Sequence, residues 1–194
     1  MKIGRITIVD PAAPADQRDK HGPEIDKVLT EFFDGPSQII TVLATGSDQV
    51  RAALLRLCDE EKCPLVVTTG GTGPAAGDFV PDATRGALDR ELPGFGEIMR
   101  AYSFERVKVS ILSRASAGVR GKSFVINLPA RPKAVKFCLR IVRDGVVEVL
   151  DQVAGVQVTL RQDEIVVPLE KYLPFLKHFR VKPNPDGEHP MIGG

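Results

Sequence analysis

An α/β fold, a mostly parallel sheet between two helical layers, is what this sequence predicts, on three observations. Short β-branched runs alternate with segments of helical periodicity from Ile3 to Gly155. The run Leu65-Val66-Val67 is apolar without interruption, as a strand covered on both faces must be. That run enters Thr68-Thr69-Gly70-Gly71-Thr72-Gly73-Pro74, a Gly-rich turn at the carboxyl end of a strand, where open α/β sheets bind their ligands.

Ile6, Ile8 and Val9 form the first strand, ended by Asp10-Pro11, and a loop runs from Ala12 to His21. Between Pro23 and Phe33, the residues Ile25, Val28, Leu29 and Phe32 fall at helical spacing until Gly35-Pro36 stops the pattern. Gln38 to Leu43 reads as a second strand. Val50, Ala53, Leu54, Leu57 and Cys58 recur at i, i+3, i+4, i+7 and i+8, one apolar stripe of a helix. Beyond the Gly-rich turn, Val107 to Leu112 and Phe124 to Leu128 are predicted as strands, and Pro132 to Leu150 as one long helix with Pro in its first turn. After Gly155, Val156 to Leu160 and Ile165 to Val167 read as the arms of a hairpin around Arg161-Gln162-Asp163-Glu164, and Leu173 to Phe179 as a short helix. The organisation predicted is therefore a domain over 1–155, a carboxyl-terminal extension over 156–181 packed on that domain, and a Pro- and Gly-rich flexible tail over 182–194.

Composition narrows the function. With 194 residues the chain is long enough to bury one sizeable core and requires no second domain. Lys plus Arg number 26 against 25 Asp plus Glu, so a net charge of +1 sets up no overall field for a polyanion, and nucleic acid is not the expected partner. The three cysteines, Cys58, Cys63 and Cys138, are odd in number and none is spaced C-x-x-C, which fits neither a disulfide framework nor a zinc site. A reducing cytoplasm suits them. The apolar run at the amino terminus is too short for a signal peptide or a membrane span, so no membrane is expected.

Chemistry concentrates at the turn. Gly70, Gly71 and Gly73 can expose several backbone N–H groups to one anion, and Thr68, Thr69 and Thr72 add hydroxyls beside them. Asp78 and Asp82 follow closely. Carboxylates flanking a phosphate-sized anion site suit magnesium, which commonly bridges protein carboxylates to substrate phosphates. Asp82, beside Pro81, has a second reading as the cap of the following helix.

The turn, then Asp78, Pro81-Asp82-Ala83-Thr84 and Pro93-Gly94-Phe95-Gly96-Glu97, resembles the molybdopterin adenylyltransferases of the MogA type and the gephyrin G domain. Leu112-Ser113-Arg114, Ile126-Asn127-Leu128-Pro129 and Pro132-Lys133 continue the resemblance in the same order. It implies a MogA-like three-layer αβα subunit, assembled as a homotrimer, that couples molybdopterin with ATP and magnesium to give adenylylated molybdopterin and pyrophosphate. A molybdenum-insertion protein is the implied partner. By position, the Gly70–Gly73 loop, Ser113, Asn127, Pro129 and Lys133 would hold phosphate or pterin groups, with Asp10, Thr69, Thr72 and Asp82 beside them. Asp78 would be the catalytic carboxylate and the metal ligand.

One position departs from the pattern. Thr45 stands where the family carries a second catalytic Asp; it can still cap the helix starting near Ser47, but a neutral hydroxyl is a poor magnesium ligand. Asp48, three residues on, is the carboxylate placed to substitute for it. The alternative function is a catalytically weak relative that binds molybdopterin or nucleotide as a carrier or scaffold.

Overall fold

The structure, a computed structural model, describes residues 1–161. Its strands are β1 (Lys2–Ile8), β2 (Gln38–Ala44), β3 (Leu65–Thr69), β4 (Arg90–Glu91), β5 (Ala117–Arg120) and β6 (Ser123–Leu128). They form one six-stranded sheet in the order β2-β1-β3-β6-β5-β4. The first four in that order run parallel, and β5 and β4 close one edge antiparallel. The helices are α1 (Gly22–Phe32), α2 (Ser47–Leu55), α3 (Val80–Arg85), α4 (Pro93–Arg106), α5 (Pro132–Ile141) and α6 (Arg143–Val149). Among the described residues no helix is long and apolar enough to cross a membrane.

Side chains alternate faces along a strand, and here the alternation sorts the core into two halves. Leu65 and Val67 of β3, with Ile3, Phe124, Ile126 and Leu128, pack against α1, α4, α5 and α6. Val66, with Ile6, Ala44 and Val125, packs against α2 and α3. Every residue of β3 is buried, as its uninterrupted apolar run requires. The three-layer αβα architecture with a mostly parallel sheet is therefore the fold of this chain.

Two predicted elements are corrected. Val107–Leu112 is no strand: Lys108–Leu112 is a 3-10 turn, with Val107, Val109, Ile111 and Leu112 exposed, and the sheet position passes to Ala117–Arg120 instead. The predicted long helix from Pro132 divides at Val142, whose ψ of 11° leaves the helical range, and it ends through a π-helical turn at Leu150–Ala154. Three elements escape the pattern reading altogether. β4 and β5 are very short, and α4 buries only Gly96, Met99 and Tyr102, too small and sparse a face to read as a stripe. Val156–Leu160 forms no strand among the described residues; Leu160 makes a single antiparallel bridge to Phe33. Ile165–Val167, the Leu173–Phe179 helix and the tail lie outside the described residues.

One buried charge ties the layers together. Arg5, inside β1, donates to both carboxylate oxygens of Asp19 at 2.9 Å and to those of Asp26 at 2.6 and 3.1 Å. It also donates to Thr7 and, at 3.1 Å, to Thr41. Burial opposes the guanidinium charge, but its bonds to Asp19 and Asp26 outweigh that, and its pKa is raised. The loop before α1, α1 itself and β2 are thus all bound to one side chain of β1.

Candidate functional site at the carboxyl end of the sheet

The chain leaves β3 through two left-handed residues, Gly70 (φ 90°) and Gly71 (φ 61°), a conformation that side chains with a Cβ rarely adopt. The Gly70 N–H donates to the Leu128 carbonyl at 3.1 Å, and the Gly71 carbonyl accepts from the Val80 N–H at 3.2 Å, so the turn is pinned at both ends. Among the described residues no protein acceptor takes the N–H groups of Gly71, Thr72 and Gly73. Three neighbouring donors are thereby available to one anion.

Asp78 returns to this loop. Its Oδ2 accepts the Ala75 N–H at 3.1 Å, and a Cβ built on Gly73 would lie 2.7 Å from the same oxygen. Glycine at 73 is what lets the carboxylate lie against the loop. Asp82, expected either as a ligand residue or as a cap, is neither bonded to the loop amides nor capping: Phe79 is the N-cap of α3, and no side chain caps it. Asp82 Oδ2 instead accepts from Arg114 at 2.8 Å, and its Oδ1 lies 3.5 Å from Arg85.

The threonines and Asn127 divide by face. Asn127 is fully buried; its amide donates to the hydroxyls of Thr68 and Thr84 at 2.9 Å each, and its Oδ1 accepts the Ser116 N–H at 3.4 Å. Its hydrogen bonds are spent joining β3, α3 and the entry to β5, beneath the site rather than in it. The Thr69 hydroxyl is likewise buried, 3.2 Å from that of Thr7.

A cavity of about 370 Å³ opens beside the loop and collects the remaining predicted residues: Thr72, Ser113, Pro129 and Lys133 all line it. Its apolar wall includes Met99 and Phe137, and its cations are Arg100, Arg106 and Lys133, with no carboxylate among the lining residues. Arg106 lies 4.4 Å above the Phe137 ring. Arg100 donates to the carbonyls of Ser113 (3.2 Å) and Ala115 (2.8 Å), holding that strand-entry segment against α4. Burial pushes the Cys138 thiol, also in the wall, up to about 12, so it is neutral there. A positive, part-apolar cavity opening beside three available N–H donors suits a ligand with a flat apolar body and phosphate groups. Sequence reading missed Arg100, Arg106 and Phe137; helical spacing relates Arg100 to Gly96 and Ser103 (i, i+4, i+7) and Phe137 to Lys133 (i, i+4), but nothing local joins the two helices or marks Arg106.

Among the described residues, the remaining predicted acids make no hydrogen bond to the loop. Asp10 is exposed beyond the end of β1, its Oδ1 accepting the Ala12 N–H at 2.8 Å, and Asp48 is exposed in the first turn of α2. Thr45 does not cap α2 with its hydroxyl: Gly46 is the N-cap, and both the N–H and the hydroxyl of Thr45 donate to Gln49 Oε1, at 2.8 and 3.1 Å. Two strand spacings, about 10 Å, separate the end of β2 from the Gly-rich loop. Among the described residues no three His, Cys, Asp or Glu side chains gather as a metal cluster.

Fold and site together define an α/β protein with a positive, part-apolar cavity and available loop amides at the carboxyl end of its sheet. The chain belongs to the family described as a probable molybdopterin-binding domain, whose model matches residues 4–153. It is similar to the molybdopterin adenylyltransferase of Helicobacter pylori, with 42% identity over 154 residues, 79% of this chain and 88% of that protein. The molybdopterin adenylyltransferase of Escherichia coli is 41% identical over 146 residues, 75% of each chain. Among solved structures, the molybdopterin biosynthesis enzyme MoaB of Thermus thermophilus superposes with a TM-score of 0.70 at 32% identity, covering 81% of this chain and 99% of that one. The Mog protein of Mycobacterium ulcerans gives 0.69 at 32% identity, covering 80% and 98%.

Proposed function

We propose that this chain acts in molybdenum cofactor biosynthesis by adenylylating molybdopterin with magnesium-ATP. A phosphate oxygen of molybdopterin bonds to the α-phosphorus of ATP, the bond from that phosphorus to the bridging oxygen breaks, and pyrophosphate leaves with the electron pair. The observation that carries the reading is the junction of the positive, part-apolar cavity with the Gly70–Gly73 loop, in a chain so similar to named adenylyltransferases. The cavity receives the pterin body against Met99 and Phe137, Lys133 and Ser113 hold polar groups at its mouth, and the loop amides hold a phosphate.

Magnesium would neutralise charge on the nucleotide phosphates. Asp78 fits it: Oδ2 accepts one backbone N–H, and among the described residues Oδ1 has no hydrogen-bond partner. Asp82 is already engaged with Arg114 and Arg85. The homotrimer is part of the proposal, and the exposed apolar turn Val107, Val109, Ile111 and Leu112 supports it as a surface suited to burial between copies. So are a cytoplasmic location, in keeping with three free buried thiols, and delivery of the product to a molybdenum-insertion protein.

Thr45 gives the second reading its footing, because the end of β2 lacks a carboxylate there and only Asp48, in the first turn of α2, is at hand to replace it. One experiment decides between them: purified parent, Asp78→Asn and Thr45→Asp, incubated with molybdopterin, ATP and magnesium, assayed for adenylyl-molybdopterin and pyrophosphate. Turnover by the parent and a loss of about 100-fold or more in Asp78→Asn are expected. A parent that binds both substrates without turnover, gaining it in Thr45→Asp, establishes the carrier reading instead. Equal turnover by parent and Asp78→Asn removes Asp78 from the site.

A further inference from the structure

Arg114 lies between Ser113 and Ala115, which line the ligand cavity, but does not line it itself. It makes two hydrogen bonds to the loop and two to the segment that follows it. Its backbone N–H donates to the Thr72 carbonyl at 2.7 Å and its Nε to the Gly73 carbonyl at 2.9 Å. Its two terminal nitrogens divide between the Asp78 carbonyl and, at 2.8 Å, the Asp82 carboxylate. The guanidinium, with donors in a fixed planar fork and no acceptor, thus holds two backbone carbonyls and a carboxylate, while the Thr72 carbonyl is held by the backbone N–H, which any residue but proline at 114 would supply.

The consequence follows from peptide geometry. In a trans peptide the C=O and the following N–H point opposite ways, and none of the peptides here is cis. The main-chain N–H of residue 114, by holding the Thr72 carbonyl, therefore aims the Gly73 N–H away from it; the guanidinium, by holding the Asp78 carbonyl, aims the Phe79 N–H away likewise, and by holding the Gly73 carbonyl fixes the peptide that ends the loop. The Gly73 carbonyl precedes Pro74, which has no N–H to aim. Gly73 N–H is one of the three loop donors without a protein acceptor among the described residues. The guanidinium also offsets the Asp82 charge and the negative ends of the carbonyl dipoles it holds.

We infer that Arg114 is a positioning residue whose guanidinium ties the end of the Gly-rich loop, at the Gly73 carbonyl, to the backbone of Asp78 and the Asp82 carboxylate, and so keeps the Gly71–Gly73 amides in place for a phosphate, touching no substrate itself. The inference rests on the loop being the phosphate site of the proposed function. Its specific content is that direction matters, not charge. A lysine at 114 keeps the charge but cannot hold three diverging acceptors, whereas Arg85, the other cation on Asp82, holds none of the loop carbonyls.

The test needs no turnover. Pyrophosphate is titrated into the full chain while the backbone amide signals of Gly71, Thr72 and Gly73 are followed by nuclear magnetic resonance, with Arg114→Ala, Arg114→Lys and Arg85→Ala beside the parent. Expected are parent binding reported by the loop amides, a Kd raised about 10-fold or more in Arg114→Ala and several-fold in Arg114→Lys, and a Kd within a factor of about three in Arg85→Ala. Arg114→Lys binding as tightly as the parent means charge alone suffices and overturns the inference, as does Arg85→Ala weakening binding as much as Arg114→Ala. If Arg114→Ala does not fold, Arg114→Lys decides by the same criterion. A parent whose loop amides do not respond refutes the phosphate-site reading itself, and the inference with it.

Discussion

Replacing Asn127 by Ala separates a residue that holds the fold from one that holds the ligand. Family resemblance assigns Asn127 to phosphate or pterin, but its side chain is fully buried and bonded to Thr68, Thr84 and the Ser116 N–H. Two amide–hydroxyl bonds are worth roughly 1 kcal/mol each net, and truncation also strands buried partners at roughly 1–3 kcal/mol for each that finds no substitute. The hydroxyls can rotate to other acceptors, which brings the expected loss to about 3 kcal/mol. In a domain of this size that lowers Tm by about 6–12 °C. Urea denaturation monitored by far-ultraviolet circular dichroism measures it directly, with the slope checked to confirm that the same surface is exposed. An exposed ligand contact would instead cost under about 0.5 kcal/mol. A loss below about 1 kcal/mol together with abolished ligand binding would refute the buried-tie reasoning and return Asn127 to the ligand.

The other expectations concern the loop and the thiols. Gly73→Ala puts a Cβ 2.7 Å from Asp78 Oδ2, and because that carboxylate is half-exposed it swings aside; stability should change by under about 1 kcal/mol while turnover falls about 10-fold or more. Parent-like turnover in that variant would detach the Asp78 position from the chemistry. Burial pushes the thiols of Cys58 and Cys63 up to about 11 and that of Cys138 up to about 12, from 9.0. Folding therefore favours the protonated thiols: their contribution to stability is full below pH 9 and disappears as pH rises through 11 to 12. Thiolate ultraviolet absorbance should rise near those values in the native protein and near 9 in urea, and a native transition near 9 would contradict the burial.

The four parallel strands of the sheet were legible because they carry their own signal, whereas β4 and β5 are too short to carry one. Leu65-Val66-Val67 can only be a doubly covered strand, and the helical stripe from Val50 to Cys58 needs no tertiary context to be recognised. Val107–Leu112 misled for the converse reason: a β-branched apolar run predicts burial, and here those side chains face outward on a 3-10 turn, a placement no local pattern encodes. At the site, Gly70, Gly71, Gly73 and Asp78 were readable from their spacing, since backbone conformation demands the glycines locally. Arg100, Arg106 and Phe137 were not, because their meeting depends on how α4 and α5 pack on each other, and an arginine on an exposed helix face looks the same in sequence whether or not a cavity lies beneath it. The net charge of +1 was equally uninformative about this cavity, whose lining carries cations and no carboxylate.

The Arg5 cluster constrains how this chain can change. Arg5, Asp19 and Asp26 are not three independent positions: losing the arginine leaves two partly exposed carboxylates without the cation they share, and losing either acid leaves a buried cation with half its carboxylate partners. Each single substitution is therefore damaging, while an apolar residue at 5 combined with neutral residues at 19 and 26 is tolerated, so the three effects are strongly non-additive. Within the lineage of this protein the three positions should be inherited as a block, changing together or not at all, and a hybrid that takes β1 from one relative and α1 from another inherits half of a bargain that neither parent made.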